Sequence, residues 1–318
     1  MQVSTALSDR DILRELEPTA ERLLNDHLRK AKSWHPHDYV PWDDGRNFAA
    51  LGGIDWEPGQ SALSEVAQTA MITNLLTEDN LPAYHREISE SFSLDGVWGT
   101  WVGRWTAEEN RHAIVMRDYL VVTRAVDPVL LERARMAHMT TGFAKPDTEQ
   151  VFLRSVAYVT LQELATRISH RNTGTACEDP IAERMLQRVA ADENLHMIFY
   201  RNISAAALDL VPNEALRAIT SVVTRFQMPG LTQPDFRRNA VLLAKHGIYD
   251  LRQHLDVVVR PVLRAWRVFE RADLTGDGER ARDELHAYLE DLEARARRFE
   301  EQRERAAARQ AERAAAAG

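Results

Sequence analysis

The chain has 318 residues, of which 44% are hydrophobic, enough to supply one large core or two ordinary ones. Its formal net charge of −8 argues against a general nucleic-acid-binding protein, although it allows a local basic patch. A single cysteine, Cys177, excludes an intramolecular disulfide framework and is typical of a reducing, cytoplasmic setting. No run of about 20 apolar residues is present, and the N-terminus lacks a basic region followed by an apolar one, so we expect neither a membrane span nor secretion.

Helical periodicity dominates the chain from its start. Ser8 can cap a first helix, which Pro18 is expected to break or bend. A long, turn-rich loop over residues 33–59 precedes a second helix, which reaches Glu78 and should be distorted by Pro82. Further helices are predicted at 99–122, from Pro128, from Pro146 to Gly174, from Pro180, and at 213–226, 236–245 and 249–271. No segment alternates with period two between hairpin turns, so the predicted fold class is all-α.

The final segment, residues 280–317, is rich in Glu, Arg and Ala. Its early part keeps apolar residues for docking, whereas beyond Phe299 it is polar all round. We therefore expect one main domain over residues 1–290, followed by a charged helix or tail over residues 291–318.

Two copies of Glu-x-x-His carry the strongest functional signal. Glu109 and His112 form the first pair, and Glu193 and His196 form the second. Residues i and i+3 of a helix share one face, so the carboxylate and the imidazole of each pair can reach the same metal ion. A single pair is common by chance and is usually solvated, but a second copy makes a dinuclear metal site the better interpretation.

Two single glutamates complete the pattern. Glu78 lies 31 positions before Glu109, and Glu163 lies 30 positions before Glu193. Such spacing suits two antiparallel helices of about 15 residues each, so that both ligands of a hairpin sit at similar height. Two hairpins packed face to face would form a four-helix bundle with the ligand set of ferritin-like di-iron carboxylate proteins, together with additional helices.

Charge supports the same interpretation. Four carboxylates buried close together would be very unfavourable alone, whereas two divalent cations would neutralise them. Oxygen and nitrogen ligands suit iron and do not exclude manganese.

A second motif imitates a calcium loop, with Asp273, Asp277 and a glutamate, Glu284, at the twelfth position of an EF-hand pattern. The cation Arg280 stands where such loops usually place a small apolar group, and no paired copy exists. A turn between two helices is the better interpretation.

The stretch from Trp105 to His112, WTAEENRH, resembles soluble acyl-[acyl-carrier-protein] desaturases. So do three further segments, at residues 77–84, 168–173 and 190–196, and the similarity extends from about Trp34 to about Leu285. The resemblance implies a homodimer of ferritin-like bundles, with two iron ions per chain, dioxygen and electrons from a ferredoxin-type donor. The implied reaction removes two hydrogens from a fatty-acyl chain held on acyl carrier protein.

The resemblance also implies roles for individual residues. The implied iron ligands are Glu78, Glu109, His112, Glu163, Glu193 and His196, with Glu109 and Glu193 bridging the two metals.

Three residues outside this set are candidates for supporting roles, Asp192 and Trp34 through the resemblance and Thr166 through its helical spacing. Asp192 would hydrogen-bond His112, and Trp34 would lie beyond Asp192 on the electron route; loop packing is the alternative for Trp34. Thr166, three residues after Glu163, could donate a hydrogen bond to bound oxygen, although a helical threonine more often bonds its own backbone.

The residues that recognise the carrier are harder to identify from the sequence than the metal ligands. Arg171 stands where plant-type members have a small residue, and the alanine-rich C-terminal extension departs from the family pattern. Acyl carrier protein is acidic, so the enzyme needs a basic surface. Arg260, Arg264, Arg267 and Arg271 would share one helix face and could supply that surface, or could pair internally with acidic residues.

Three other functions compete with the desaturase hypothesis. A related di-iron oxidase would act on another carrier-bound chain. A ferritin-like iron-binding protein without catalytic activity would form a shell and take up many irons per chain, whereas a desaturase would be a dimer that holds two. A metal-free helical interaction protein would leave all six ligands unexplained.

Overall fold

The structure is a computed structural model that describes residues 7–140, 151–228, 233 and 235–317. Within these ranges the chain forms helices and loops without a β-strand, which confirms the predicted all-α class. The α-helices are α1 (Asp9–Lys30), α2 (Glu65–Asp79), α3 (Leu81–Ser91), α4 (Gly96–Val122), α5 (Pro128–Thr140), α6 (Val151–Ala176), α7 (Pro180–Leu210), α8 (Pro212–Thr224), α9 (Phe236–Lys245), α10 (Leu251–Gln253), α11 (Arg260–Ala265) and α12 (Asp277–Ala317). Short 3-10 helices lie at Pro36–Tyr39, Trp42–Asp44, Ala49–Leu51, Pro58–Gln60 and Val268–Glu270, and a π-helix spans His254–Val259.

Four helices form the bundle that holds the candidate site. α2 packs against α4 and α6, and α7 also packs against both α4 and α6. α1 covers α4 and α7, α8 covers α6, and α12 packs on α8. The structure is therefore a four-helix bundle with additional helices, as the ligand spacing predicts.

α1 begins as its sequence predicts but does not break. Ser8 caps the helix, with its hydroxyl accepting from the Asp11 backbone N–H. Pro18 lies inside a helix that continues to Lys30, so the expected break is absent. Apolar residues are buried on both sides of the proline, and their packing offsets the loss of one backbone hydrogen bond.

Two helix ends near the site follow from proline and glycine. Pro82 lies in the first turn of α3, so α2 ends at Asp79, immediately after Glu78. Gly174 does not end α6, which continues to Ala176; a Cβ at this glycine would lie 3.2 Å from the Cα of Glu183, so the glycine lets α7 approach closely. The predicted start of this helix at Pro146 lies outside the described residues.

The predicted helix over residues 249–271 is shorter and less regular than expected. Its last α-helical residue is Ala265, and Arg267 has a left-handed backbone with φ of 52°. The four arginines predicted on one face therefore do not share a helix. Three of them pair with acidic side chains instead: Arg260 with Asp256 and Glu293, Arg267 with Glu270, and Arg271 with Asp209 and Asp273.

α12 contains most of the calcium-like motif. It begins at Asp277, so Glu284 lies in its second turn rather than at the end of a loop, in agreement with the turn interpretation. The helix runs without interruption through residue 290, and the division of the chain at that position stays a prediction.

The site lies in a polar layer between two apolar clusters of the core. On α4, Trp105 belongs to one cluster and Ala113 to the other; on α7, Met197 and Val189 divide in the same way. In the described part of the chain, no helix combines the length and the apolar character that a bilayer span would need.

Candidate metal centre

The six residues predicted as ligands meet in the middle of the bundle. α2 contributes Glu78, α6 contributes Glu163, and α4 and α7 each contribute one Glu-x-x-His pair. All six side chains are buried. Their ligand atoms form two groups, each within 4.8 Å: Glu78, Glu109, His112 and Glu193 in one, and Glu109, Glu163, Glu193 and His196 in the other.

The two groups share Glu109 and Glu193. Each group therefore has one histidine and one glutamate of its own, while the glutamates of the two Glu-x-x-His pairs face both positions. This is the arrangement that two ions bridged by carboxylates require.

The two imidazoles turn their Nδ1 atoms towards the carboxylates. Nδ1 of His112 lies 3.5 Å from oxygens of Glu78, Glu109 and Glu193. Nδ1 of His196 lies 2.7 Å from Oε1 of Glu109 and 3.5 Å from Oε2 of Glu163. Both histidines direct Nε2 away from this space, so each can offer Nδ1 to a metal while Nε2 faces a carboxylate, which is Glu108 for His196 at 3.0 Å and Asp192 for His112 at 3.6 Å.

The donor set fits a pair of metal ions. Among the described residues, no group meets either buried Nδ1 atom with hydrogen-bond geometry, and the same holds for both carboxylate oxygens of Glu193 and for one each of Glu109 and Glu163. Burial, with the charges of Glu109 and Glu193, raises the pKa of Glu163 well above its usual range. Such unpaired buried groups are costly, and two divalent cations would satisfy the atoms and neutralise the carboxylates.

Trp34 and Asp192 lie behind His112. The Trp34 indole N–H donates to Oδ2 of Asp192 at 2.7 Å, and Nε2 of His112 lies 3.6 Å from the same oxygen. The rings of Trp34 and His112 are nearly parallel, with centroids 6.3 Å apart. Burial opposes ionisation of Asp192, but the nearby imidazole of His112, the charge of His196 and the hydrogen bond from Trp34 outweigh it and lower the pKa of Asp192 to about 2. The loop tryptophan thus contacts the carboxylate that orients His112.

A second supporting group, which the sequence interpretation missed, lies behind His196. Oε2 of Glu108 is 3.0 Å from Nε2 of His196 and 2.8 Å from Nε2 of His27 on α1. Arg104 also contacts this carboxylate. The rings of His27 and His196 are stacked, with centroids 5.8 Å apart. Glu108 therefore orients His196 as Asp192 orients His112.

His170 is the other close neighbour that the ligand pattern did not identify. Its Nε2 lies 2.9 Å from Oε1 of Glu78 and 3.5 Å from Oε1 of Glu193. Burial disfavours its protonation, but the hydrogen bonds to Glu193 and Glu78 prevail and raise its pKa to about 9. It lies one turn after Thr166 on α6, so only the fold brings it to the same carboxylates.

Two contacts hold the α6 side of the site. The Trp105 indole N–H donates to Oε1 of Glu163 at 3.0 Å, so the first residue of the WTAEENRH stretch orients a glutamate on a neighbouring helix. The Thr166 hydroxyl donates to the backbone carbonyls of Gln162 and Glu163, both at 3.1 Å. The role of Thr166 towards bound oxygen stays a prediction.

A cavity of about 100 Å³ reaches the site from one side. Glu78, His170 and Thr166 form its inner wall, and Met228 and Phe236 are among its apolar lining residues. The cavity thus joins a carboxylate of the candidate centre to an apolar space.

Comparisons with known proteins agree with this geometry. The family model described as fatty acid desaturase matches residues 8–316. DesA1 of Mycobacterium tuberculosis, provisionally named an acyl-[acyl-carrier-protein] desaturase, is 55% identical over 97% of this chain and 93% of its own. A chloroplastic stearoyl-[acyl-carrier-protein] 9-desaturase of Arabidopsis thaliana is 30% identical, over 84% of this chain and 72% of its own.

A solved structure has the same architecture. The X-ray structure of DesA2 from Mycobacterium tuberculosis, also provisionally named an acyl-ACP desaturase, superposes with a TM-score of 0.68 at 33% identity. The match covers 80% of this chain and 94% of that one. The resemblance drawn from the motifs is confirmed, and the chain belongs to the fatty acid desaturase family.

Proposed function

We propose that this protein is an acyl-[acyl-carrier-protein] desaturase, which introduces a double bond into a fatty-acyl chain held as a thioester on its carrier. The observation that carries the proposal is the convergence of four glutamates and two histidines into two overlapping groups, in a chain of this family. In the reaction, dioxygen is reduced to water. The acyl chain gives up two hydrogens, and a donor supplies two electrons together with two protons, which completes the balance.

The chemistry explains why metals are needed. A C–H bond in the middle of an alkyl chain has no useful acidity, so a side-chain base cannot remove its hydrogens. Two iron ions, held by Glu78, Glu109, His112, Glu163, Glu193 and His196, would supply the oxidation with dioxygen. Manganese has compatible ligand preferences and is the alternative metal.

The protein's own residues orient the centre and exclude water. Asp192 and Glu108 face Nε2 of the two histidines at 3.6 Å and 3.0 Å, and with metal bound they would fix the tautomer that presents Nδ1. Buried aromatic residues, including Trp101 and Tyr200, lie beside the site and keep its surroundings apolar. Trp34 would be the point of electron entry, and its contacts with Asp192 and His112, which link the loop after α1 to the site, support this role.

The cavity beside Glu78 is the proposed position of the alkyl chain. Its lining by Met228, Phe236 and Leu243 suits methylene groups, and its inner wall touches a proposed metal ligand. Iron storage would need no apolar cavity at the centre, so this feature favours an enzyme. It does not distinguish a standard fatty-acyl chain from another carrier-bound chain, which leaves a related di-iron oxidase as the second candidate.

The remaining features of the proposal follow from the family resemblance. We propose a homodimer in the cytoplasm that receives electrons from a ferredoxin-type donor.

The decisive experiment measures metal and product on the same preparation. Protein expressed with ample iron should contain about two irons per chain. After anaerobic reduction, exposure to oxygen with an acyl-carrier-protein substrate should yield an unsaturated product. Glu109→Ala or His196→Ala should abolish turnover and lower the metal content, whereas Glu132→Ala, on the exposed face of α5, should leave both unchanged.

Each outcome decides between the candidates. Full activity in either ligand variant would contradict the assignment. Two irons without product from a panel of fatty-acyl carriers would favour the related oxidase, and uptake of many irons per chain into a large shell would favour storage.

A further inference from the structure

A basic cleft of about 570 Å³ lies where α6, α8 and the start of α12 meet. Its charged lining residues are Arg154, Arg217, Arg225, Arg280, Asp277 and Glu284. Four guanidinium groups therefore face two carboxylates, on a chain whose formal net charge is −8. The cleft is therefore positively charged, although the chain as a whole is negatively charged.

The arginines of the cleft differ in their partners. Asp277 pairs with both Arg217 and Arg280 at the start of α12. Within the described residues, Arg154 and Arg225 form no ion pair. Arg154 donates to the hydroxyl of Ser221 at 2.8 Å, and Arg225 is exposed at the end of α8.

Arg154 and Arg225 lie close enough to repel each other. Partial burial, together with the neighbouring charge of Arg225, lowers the pKa of Arg154. Two guanidinium groups that line one cleft and form no ion pair among the described residues can bind an anion, because guanidinium groups bind carboxylates through charge-assisted hydrogen bonds.

A row of residues along α6 connects this pair to the cavity. Arg154, Tyr158, Gln162 and Thr166 recur every four residues and so form one ridge of the helix, about 18 Å long. Thr166, at the far end of the ridge, lines the cavity beside Glu78.

A second connection runs along the segment after α8. It begins at Arg225, and its Gln227 carbonyl accepts a hydrogen bond from the Tyr158 hydroxyl at 3.3 Å. Met228, the next residue, lines the cavity. Two stretches of chain, residues 154–166 of α6 and residues 225–228, thus connect the arginine pair to the cavity lining.

We propose that this cleft is the docking surface for the acidic acyl carrier protein, with Arg154 and Arg225 binding its carboxylates. The inference rests on the proposed function and adds the place where the carrier binds. Complementary charge would steer the carrier to the cleft, and the α6 ridge would fix the distance between the docked carrier and the cavity.

The test uses full-length, iron-loaded protein and a fluorescently labelled acyl-acyl-carrier-protein. Arg225→Glu reverses one charge at an exposed side chain without a hydrogen bond to lose. We expect its Kd for the carrier to rise about tenfold or more at low salt, with a weaker dependence on ionic strength. Metal content should be unchanged, and so should kcat at saturating carrier, whereas KM should rise with Kd.

Two variants control for charge and position. Arg225→Lys keeps the charge and should stay within a few-fold of wild type. Arg309→Glu makes the same charge reversal on the exposed part of α12, about 44 Å along the helix from Arg280, and should leave Kd unchanged. Arg154→Lys tests the half-buried partner without removing its charge, and it should weaken binding less than Arg225→Glu.

The possible failures are distinguishable. A wild-type enzyme that forms product, with equal Kd values for Arg225→Glu and Arg309→Glu, would overturn the docking surface and leave the proposed function intact. A wild-type protein that binds metal but neither binds the carrier nor acts on it would overturn both. Loss of metal or of folding in Arg225→Glu would assign the residue a structural role and would also contradict the proposal.

Discussion

Glu108 and His196 meet across the bundle, with Oε2 of the glutamate 3.0 Å from Nε2 of the histidine. Glu108 directly precedes Glu109 in the first Glu-x-x-His pair, whereas His196 belongs to the second. Asp192 and His112 form the reciprocal contact. Each pair therefore carries, one residue before its glutamate, the carboxylate that orients the histidine of the other pair.

Replacing Glu108 by glutamine should weaken metal binding without unfolding the bundle. The amide keeps the size of the side chain but loses the charge that holds Nε2 of both His196 and His27. Loss of such a contact typically costs 10- to 100-fold in metal affinity. Competition between the protein and a chelator for Co²⁺ measures the change. Glu301→Gln, on the exposed part of α12, should bind as wild type does, and equal affinity in Glu108→Gln would remove Glu108 from the metal centre.

Trp34→Phe should slow electron delivery while leaving metal bound. Phenylalanine keeps an aromatic ring near His112 but removes the N–H that donates to Asp192 at 2.7 Å. We expect the rate of metal reduction by a ferredoxin-type donor to fall about tenfold or more, with unchanged metal content. Stopped-flow absorbance measures the rate, and Trp42→Phe, at a half-exposed residue of the same loop, is the control. If both variants are reduced as fast as wild type, Trp34 has only a packing role.

The ligand positions were predictable from sequence because they depend on local spacing. Glu109 and His112 lie one turn apart on any helix, and the 31- and 30-residue separations from Glu78 and Glu163 need only two hairpins of similar length. The fold class was predictable for the same reason, since helical periodicity is a local property.

Contacts between helices were harder to predict from the sequence. His27 reaches Glu108 across 81 residues, and no local pattern distinguishes it from an ordinary core histidine. Glu108 did have a signal, because it occupies the position before a ligand glutamate that Asp192 occupies in the second pair. Of the break or bend expected at Pro18, the break does not occur, because packing on both sides of the proline outweighs the local rule.

Thr166 provides a test of oxygen handling that is separate from metal binding. Its hydroxyl bonds the carbonyls of Gln162 and Glu163, and giving up those bonds would cost about 0.5–1.5 kcal/mol, a small barrier to a role at the centre. If the hydroxyl acts on bound oxygen, Thr166→Val should lower the product formed per dioxygen consumed, and Thr166→Ser should restore it. Oxygen-electrode and product measurements on the same sample check this. If the wild type and both variants form the same amount of product per dioxygen consumed, Thr166 has only the role of bonding its own backbone.

His254 should make folding stability depend on pH. Burial in the π-helix lowers its pKa to about 4, while its ring stacks on Phe226. The unfolded chain, with an ordinary histidine pKa near 6.5, binds the proton more readily, so stability falls as pH decreases from about 6.5 towards 4. Between pH 7 and pH 5 this one group should cost about 2 kcal/mol of unfolding free energy. Urea denaturation at pH 7 and pH 5 should show a loss of unfolding free energy that is smaller by that amount in His254→Phe than in the wild type. Equal pH dependence in wild type and His254→Phe would show that the ring is protonated as readily in the folded state as in the unfolded one.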